Sequence, residues 1–166
     1  EAVKLGSRQR ITRVPSEKVG DWAQELENAP LRHTPEEIRS DFIGAWLIPQ
    51  QDAQKPEAYV VLEADGSAAS TRPTRAEGPK GERGYWEVAE NGVRITWGSG
   101  QQEVFSYSPK GVERLSYLPP VIGGKQLLGQ GAVHKASLES IDSNWMRGYQ
   151  LERQQAPKRG LRGFFK

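Results

Sequence analysis

The hydrophobic pattern of the chain changes period near residue 42. Before that point Val19, Trp22, Ala23 and Leu26 recur at helical spacing behind Ser16, whose hydroxyl suits an N-cap, so a short amphipathic helix is predicted over 16–28. Asn28, Ala29 and Pro30 stop it. Thr34, Pro35, Glu36 and Glu37 open a second helix with a cap, proline in the first turn and acids facing the positive end of the dipole, and this one is expected to end by Ser40.

From Phe42 onward the apolar positions alternate, and turn signals punctuate them. Phe42–Ile48 is the first predicted strand, Glu57–Ala64 the second, closed by Asp65-Gly66, and Ser67–Arg72 a weaker third. Residues 73–84 mix proline, glycine and charge and read as an exposed loop. Tyr85–Glu90 and Val93–Trp97 flank Asn91-Gly92, which suits a two-residue type I′ hairpin. With Asn91 and Gly92 as the loop, Trp86 faces Trp97 and Val88 faces Ile95 on a dry side, while Glu87, Arg94 and Thr96 form a wet side.

The same logic treats Pro109-Lys110-Gly111 as a three-residue loop, which pairs Phe105 with Leu115 and sets Glu103 opposite Tyr117. Pro119-Pro120 is expected to end that strand. Val121–Gly131 then reads as a glycine-rich loop with an apolar Leu127-Leu128 centre, Val133–Leu138 as a closing strand, and Trp145–Gln154 as a last helix. The predicted fold class is mainly β: a small antiparallel up-and-down barrel over 42–140. An extension with short helices precedes it over 1–41, and a helix with a basic tail follows over 141–166.

Gly44-Ala45-Trp46, at the start of the first strand after a short helix, resembles the Gly-x-Trp opening of lipocalins and related calycin barrels. The resemblance implies that Trp46 closes the barrel floor beneath a basic residue of the last strand such as Lys135. The run from Tyr59 through Asp65-Gly66 to Gly84-Tyr85-Trp86-Glu87-Val88 and Val93–Trp97 also looks like small secreted bacterial domains of the same meander type. Strands this short imply a barrel filled by its own side chains.

Composition narrows the functional classes. A chain of 166 residues with 18 Gly and 11 Pro suits one turn-rich domain. No apolar run approaches the roughly 18–20 residues that cross a bilayer, so a soluble protein is expected. The chain begins at Glu1 without a methionine, which fits a processed or trimmed protein and leans the expected location toward the periplasm or outside the cell. With no cysteine, and only His33 and His134 as histidines, a metal site is not expected; nor is a cofactor.

Charge is uneven: residues 1–13 carry +3, residues 147–166 carry +5, and the stretch between carries −6. The basic tail mixes Arg159, Arg162 and Lys166 with Phe164 and Phe165, a combination that suits docking on a protein partner or an anionic surface. An acidic body without a basic stripe argues against nucleic acid.

Catalytic patterns are missing from the sequence: it has no Gly-x-Ser-x-Gly elbow and no HExxH, and Gly123-Gly124-Lys125 lacks the spacing of a phosphate loop. The acid pairs Glu36 with Glu37 and Glu63 with Asp65 read as solvated surface. The tryptophans leave two readings open. Trp46, Trp86 and Trp97 can be core, or Trp86, Trp97, Tyr59, Tyr107 and Tyr117 can line a mouth that stacks on a sugar or encloses an apolar ligand. The expected function is a non-enzymatic binding or interaction protein that docks through its ends. The rival is a barrel that binds a small apolar or carbohydrate ligand inside, or, further off, an enzyme.

Overall fold

A computed structural model describes residues 33–121 and 124–156. The helix predicted over 16–28 and the tail residues Arg159, Arg162, Phe164, Phe165 and Lys166 lie outside them. All described residues belong to one unit, Arg32–Lys166.

Helix α1 (Pro35–Phe42) starts at a capping box. The Glu37 N–H donates to Thr34 Oγ1 at 3.2 Å, and the Thr34 N–H donates to the Glu37 carboxylate at 3.0 Å, so two of the first-turn donors are satisfied. The helix runs to Phe42, which was expected to open the first strand. The ring is more useful as the last helical residue, because there it drops fully buried into the barrel.

Eight antiparallel strands follow: β1 (Gly44–Ile48), β2 (Ala58–Leu62), β3 (Ser67–Ser70), β4 (Arg83–Ala89), β5 (Gly92–Trp97), β6 (Gln102–Ser108), β7 (Gly111–Val121) and β8 (Gly124–Ala136). Each pairs with its neighbour in sequence, and β8 returns to β1 through Ala45↔Ala136, Trp46↔Lys135 and Leu47↔His134, closing the barrel. The predicted up-and-down barrel is the observed one. Alternate residues point inward, so Trp46, Ile48, Val60, Leu62, Val93, Ile95, Trp97 and Phe105 make one continuous core.

Two hairpins differ from the predicted register. Between β4 and β5 the loop is Glu90–Asn91, not Asn91–Gly92, so Val88 faces Val93 and Trp86 faces Ile95 instead of Trp97. All non-glycine residues described keep negative φ, which excludes the type I′ turn. Gly92 is needed for a different reason: a Cβ there would sit 1.9 Å from the Phe105 carbonyl oxygen of β6. This slip moves the pairing by two residues, and the inward set is unchanged.

Between β6 and β7 the loop is the two residues Pro109–Lys110, with Ser108 opposite Gly111. Here the slip is by one residue, which turns β7 over. Phe105 faces Arg114 and Glu103 faces Ser116, where Leu115 and Tyr117 were expected.

The closing part of the barrel is longer than predicted. Val121–Gly131 is not a loop, because most of it belongs to the thirteen-residue β8, and Pro119-Pro120 lies within β7. Among the described residues, β7 beyond Tyr117 pairs with β8 alone, and an irregularity between Leu118 and Val121 lets the ladder pass the two prolines, which have no N–H to contribute.

After a 3₁₀ turn (Leu138–Ser140), helix α2 (Ser143–Gln155) packs outside the barrel, in agreement with the helix predicted over 145–154. Ile141 and Tyr149 bury themselves against Ala45, Val61 and Ala69, the outward residues of β1–β3. Small residues at these positions let the helix approach. No helix among the described residues is long and apolar enough to cross a membrane.

Candidate functional site

The two ends of the barrel are built from different chemistry. At one end α1 plugs the floor: Phe42 stacks on Trp46 with ring centroids 5.1 Å apart, and Phe105 meets Trp46 edge-on at 6.0 Å. Trp46 Nε1–H donates to the Phe42 carbonyl at 2.9 Å. Lys135 holds its ammonium 4.8 Å from the Trp46 ring centroid and donates to the carbonyls of Asp41, at 2.8 Å, and Ile43. The floor expected from the Gly-x-Trp resemblance, tryptophan beneath a last-strand lysine, is therefore present. Gly44 makes room for it, with φ +120° and space for a Cβ only 3.3 Å from Lys135 Nζ.

Burial lowers the Lys135 pKa, partly offset by Asp41. The Tyr107 hydroxyl donates to Asp41 at 2.6 Å, and its burial beside that carboxylate raises its pKa, so it stays protonated. Arg39 lies 5.0 Å over the Trp86 ring and donates to the Ala64 carbonyl at 2.8 Å. Every group here is spoken for within the fold.

At the other end the inward row becomes polar. Glu103 is 0 % exposed, and its Oε1 accepts from Arg72 at 2.6 Å and from Arg114 at 3.1 Å. Arg72 also pairs with Glu82 at 3.1 Å, donates through Nε to Ser70 at 3.0 Å, and lies 5.4 Å over the Trp97 ring. Gln101 donates to Ser116 at 2.7 Å. Burial raises the Glu82 pKa against the pull of Arg72, with Glu103 and Glu77 adding to the rise. Among the described residues, Glu103 Oε2, Arg114 Nε, Trp97 Nε1, Glu77 Oε2 and Arg72 Nη2 are buried without a hydrogen-bond partner, the last having only its ion pair with Glu82.

Arg72 and Arg114 also line an open recess of about 800 Å³ between the β1–β2 loop and residues 128–132 of β8. The recess exists because β8 supplies glycine on its inward row: Gly131 faces Arg114 and Gly129 faces Ser116. A Cβ at Gly131 would meet nothing within 4 Å, and one at Gly129 only Arg114 Nη2, at 3.8 Å. A buried carboxylate holding two guanidinium groups at the edge of such a space is a means of presenting cations in fixed positions.

A second, shallower groove of about 1010 Å³ runs along α2 beside Lys80 and Arg83. Its polar groups pair with one another: Glu152 with Lys80 at 2.7 Å and Arg83 at 2.9 Å, and Trp145 Nε1–H with the Lys80 carbonyl at 2.9 Å. It is the seam of a docked helix.

The five aromatic residues singled out as a ligand-binding set are spread over the barrel. Trp86 is buried, with Nε1–H donating to the Glu63 carbonyl at 2.9 Å, and Trp97 is buried under Arg72. Tyr107 belongs to the floor. Tyr59 packs with α2 on the outer face, and Tyr117 lies on the opposite face of β7 from Ser116. Of the five, Trp97 packs directly against the polar cluster, under Arg72.

The acid pairs are held locally: Glu37 caps α1, Glu63 accepts from Tyr149 at 2.9 Å, and Asp65 accepts from Ser67 at 2.6 Å and from Arg153 at 2.9 Å. Neither the Arg72–Glu103–Arg114 cluster nor the glycines of β8 were anticipated. The signal was Glu103 itself, a charge in a row shared with Phe105 and Tyr107.

The fold and site define a closed, eight-stranded up-and-down barrel with an aromatic floor and a charged mouth. Compared with known protein families, curated proteins and solved structures, the chain matches none.

Proposed function

We propose that this chain is a non-enzymatic binding protein on a lipocalin-like barrel, and that its ligand enters the recess at the mouth rather than the apolar interior. The observation that carries the reading is the contrast in filling. Phe42, Trp46, Phe105, Ile95 and Trp97 occupy the interior, whereas the inward glycines of β8 leave the mouth open beside two fixed arginines. These rings occupy the interior that an enclosed apolar or sugar ligand would need. Docking through the basic tail rests on residues outside those described.

Native mass spectrometry of the full chain purified from its own source tests the reading, with Gly131→Leu as the comparison. A small added mass that is lost on denaturation and absent from Gly131→Leu supports a ligand in the recess. An adduct that survives the substitution, or co-purifying chains with no small adduct, overturns it.

A further inference from the structure

The geometry points to a ligand class for the mouth: a small organic carboxylate, its anionic group held by Arg72 and Arg114 and its apolar body against Ile48, Pro49 and Leu128. The inference rests on the recess being the binding site and adds the chemistry of what fits it.

Charge is layered at this end. The residues that line the recess carry Lys55, Arg72 and Arg114 against Asp52, a net of +2. The balancing acids lie behind this layer: Glu103 is fully buried and Glu82 is 8 % exposed, and neither lines the recess. A ligand entering the recess therefore meets the cationic side of each ion pair, and the carboxylates act through the arginines they hold. The side chains of Arg72 and Arg114 are 21 % and 17 % exposed, so each is fixed on its inner side and keeps part of its surface open, with Arg72 Nη2 and Arg114 Nε themselves buried.

Both guanidiniums donate to the same oxygen of Glu103, which draws them together, and a planar carboxylate is the group whose two oxygens match paired guanidinium donors. Fixed donors lose little freedom on binding. Ile48, Pro49, Leu128 and Ala132 add an apolar wall, which selects an organic acid over a bare inorganic anion. Because Gly129 and Gly131 place no side chain on the inward face of β8, the ligand can lie directly on that strand.

The test titrates the full-length ¹⁵N-labelled protein with benzoate and with benzamide, its neutral counterpart of the same shape, and follows the Nε–H signals of Arg72 and Arg114. Benzoate is expected to shift both signals saturably and to bind at least about tenfold tighter than benzamide, since one charge-assisted hydrogen bond is worth that much. Its affinity should fall as salt rises, drop by about tenfold or more in Arg114→Gln, and vanish in Gly131→Leu.

Equal binding of both probes, abolished in Gly131→Leu, would overturn the carboxylate assignment while leaving the recess as the binding site. Shifts that persist in Gly131→Leu would overturn the recess itself, as would no shift with either probe. The comparison of the two probes on the unmodified chain needs no variant to fold.

Discussion

The floor and the mouth of this barrel are built on the same eight strands, yet they handle polar groups in opposite ways. At the floor, Lys135, Asp41, Tyr107 and the Trp46 indole N–H all find partners within the fold, and aromatic rings fill the space between them. At the mouth, one buried carboxylate serves two arginines, four polar atoms of Arg72, Trp97, Glu103 and Arg114 remain without a hydrogen-bond partner among the described residues, and glycines stand where side chains could be. Burying a polar group without a partner costs about 1–3 kcal/mol, so a fold selected for stability alone would have treated the mouth like the floor. The difference separates the end that holds the barrel together from the end that has room to bind.

If that division is right, the largest loss of stability should come from the floor. Trp46→Ala removes a buried indole along with its stacking on Phe42 and its contact with Lys135, and is expected to cost about 3–5 kcal/mol in urea unfolding followed by circular dichroism. A cost near 1 kcal/mol would mean that the floor is not the organising end.

Glu103→Gln is the matching change at the mouth. It leaves two arginines without their shared anion, but both keep some contact with water, so the expected cost is about 1–3 kcal/mol in the same assay, less than for breaking a fully buried pair. A larger loss than for Trp46→Ala would invert the comparison.

Filling the mouth should have the opposite sign. Gly131 has ordinary strand φ and open space around it, so Gly131→Val replaces a flexible residue with a good strand former. Stability should rise by about 0.5–1 kcal/mol, which for a chain of this size raises the melting temperature by about 1–4 °C. A fall would show that the recess is already occupied by something the fold needs.

The smallest effect is a matter of pH, and it belongs to the closed end, where α2 is tied down. The hydrogen bond from Ser67, helped by Arg153 and working against partial burial, holds the Asp65 carboxyl at about 2, below its ordinary 3.8. A lowered folded pKa means the stabilisation is complete above pH 3.8 and fades as the pH falls toward 2. Thermal unfolding from pH 5 to pH 2 should therefore show the unmodified protein losing its advantage over Asp65→Asn, with the two curves meeting near pH 2. Parallel curves across that range would remove the clamp from the account.

Much of the floor was readable along the chain. Thr34-Pro35-Glu36-Glu37 announced α1, Gly44-x-Trp46 announced the first strand, and the pairing of Trp46 with Lys135 followed from that resemblance. The mouth was not readable, and the two hairpins explain why. In β4–β5 the loop was misplaced so that the pairing slipped by two residues, and the inward row survived. In β6–β7 treating two loop residues as three slipped it by one, which exchanged Leu115 and Tyr117 for Arg114 and Ser116 and hid the site. In β7 both alternating rows contain apolar residues, Val112 on one and Leu115 with Tyr117 on the other, so local hydrophobicity does not choose between them.

Period-2 alternation, turn residues and a capped helix determined by themselves that this chain makes a short helix followed by a meander of antiparallel strands, because those preferences act over a few neighbouring residues. Only the tertiary structure decided which face of β7 points inward, that the glycine-rich stretch before Val133 becomes a strand, and that Arg72, Glu103 and Arg114 meet. Those outcomes depend on closing the sheet: the register of each strand is set by the ladders on both sides, and a buried charge is tolerable only where distant residues arrive to neutralise it.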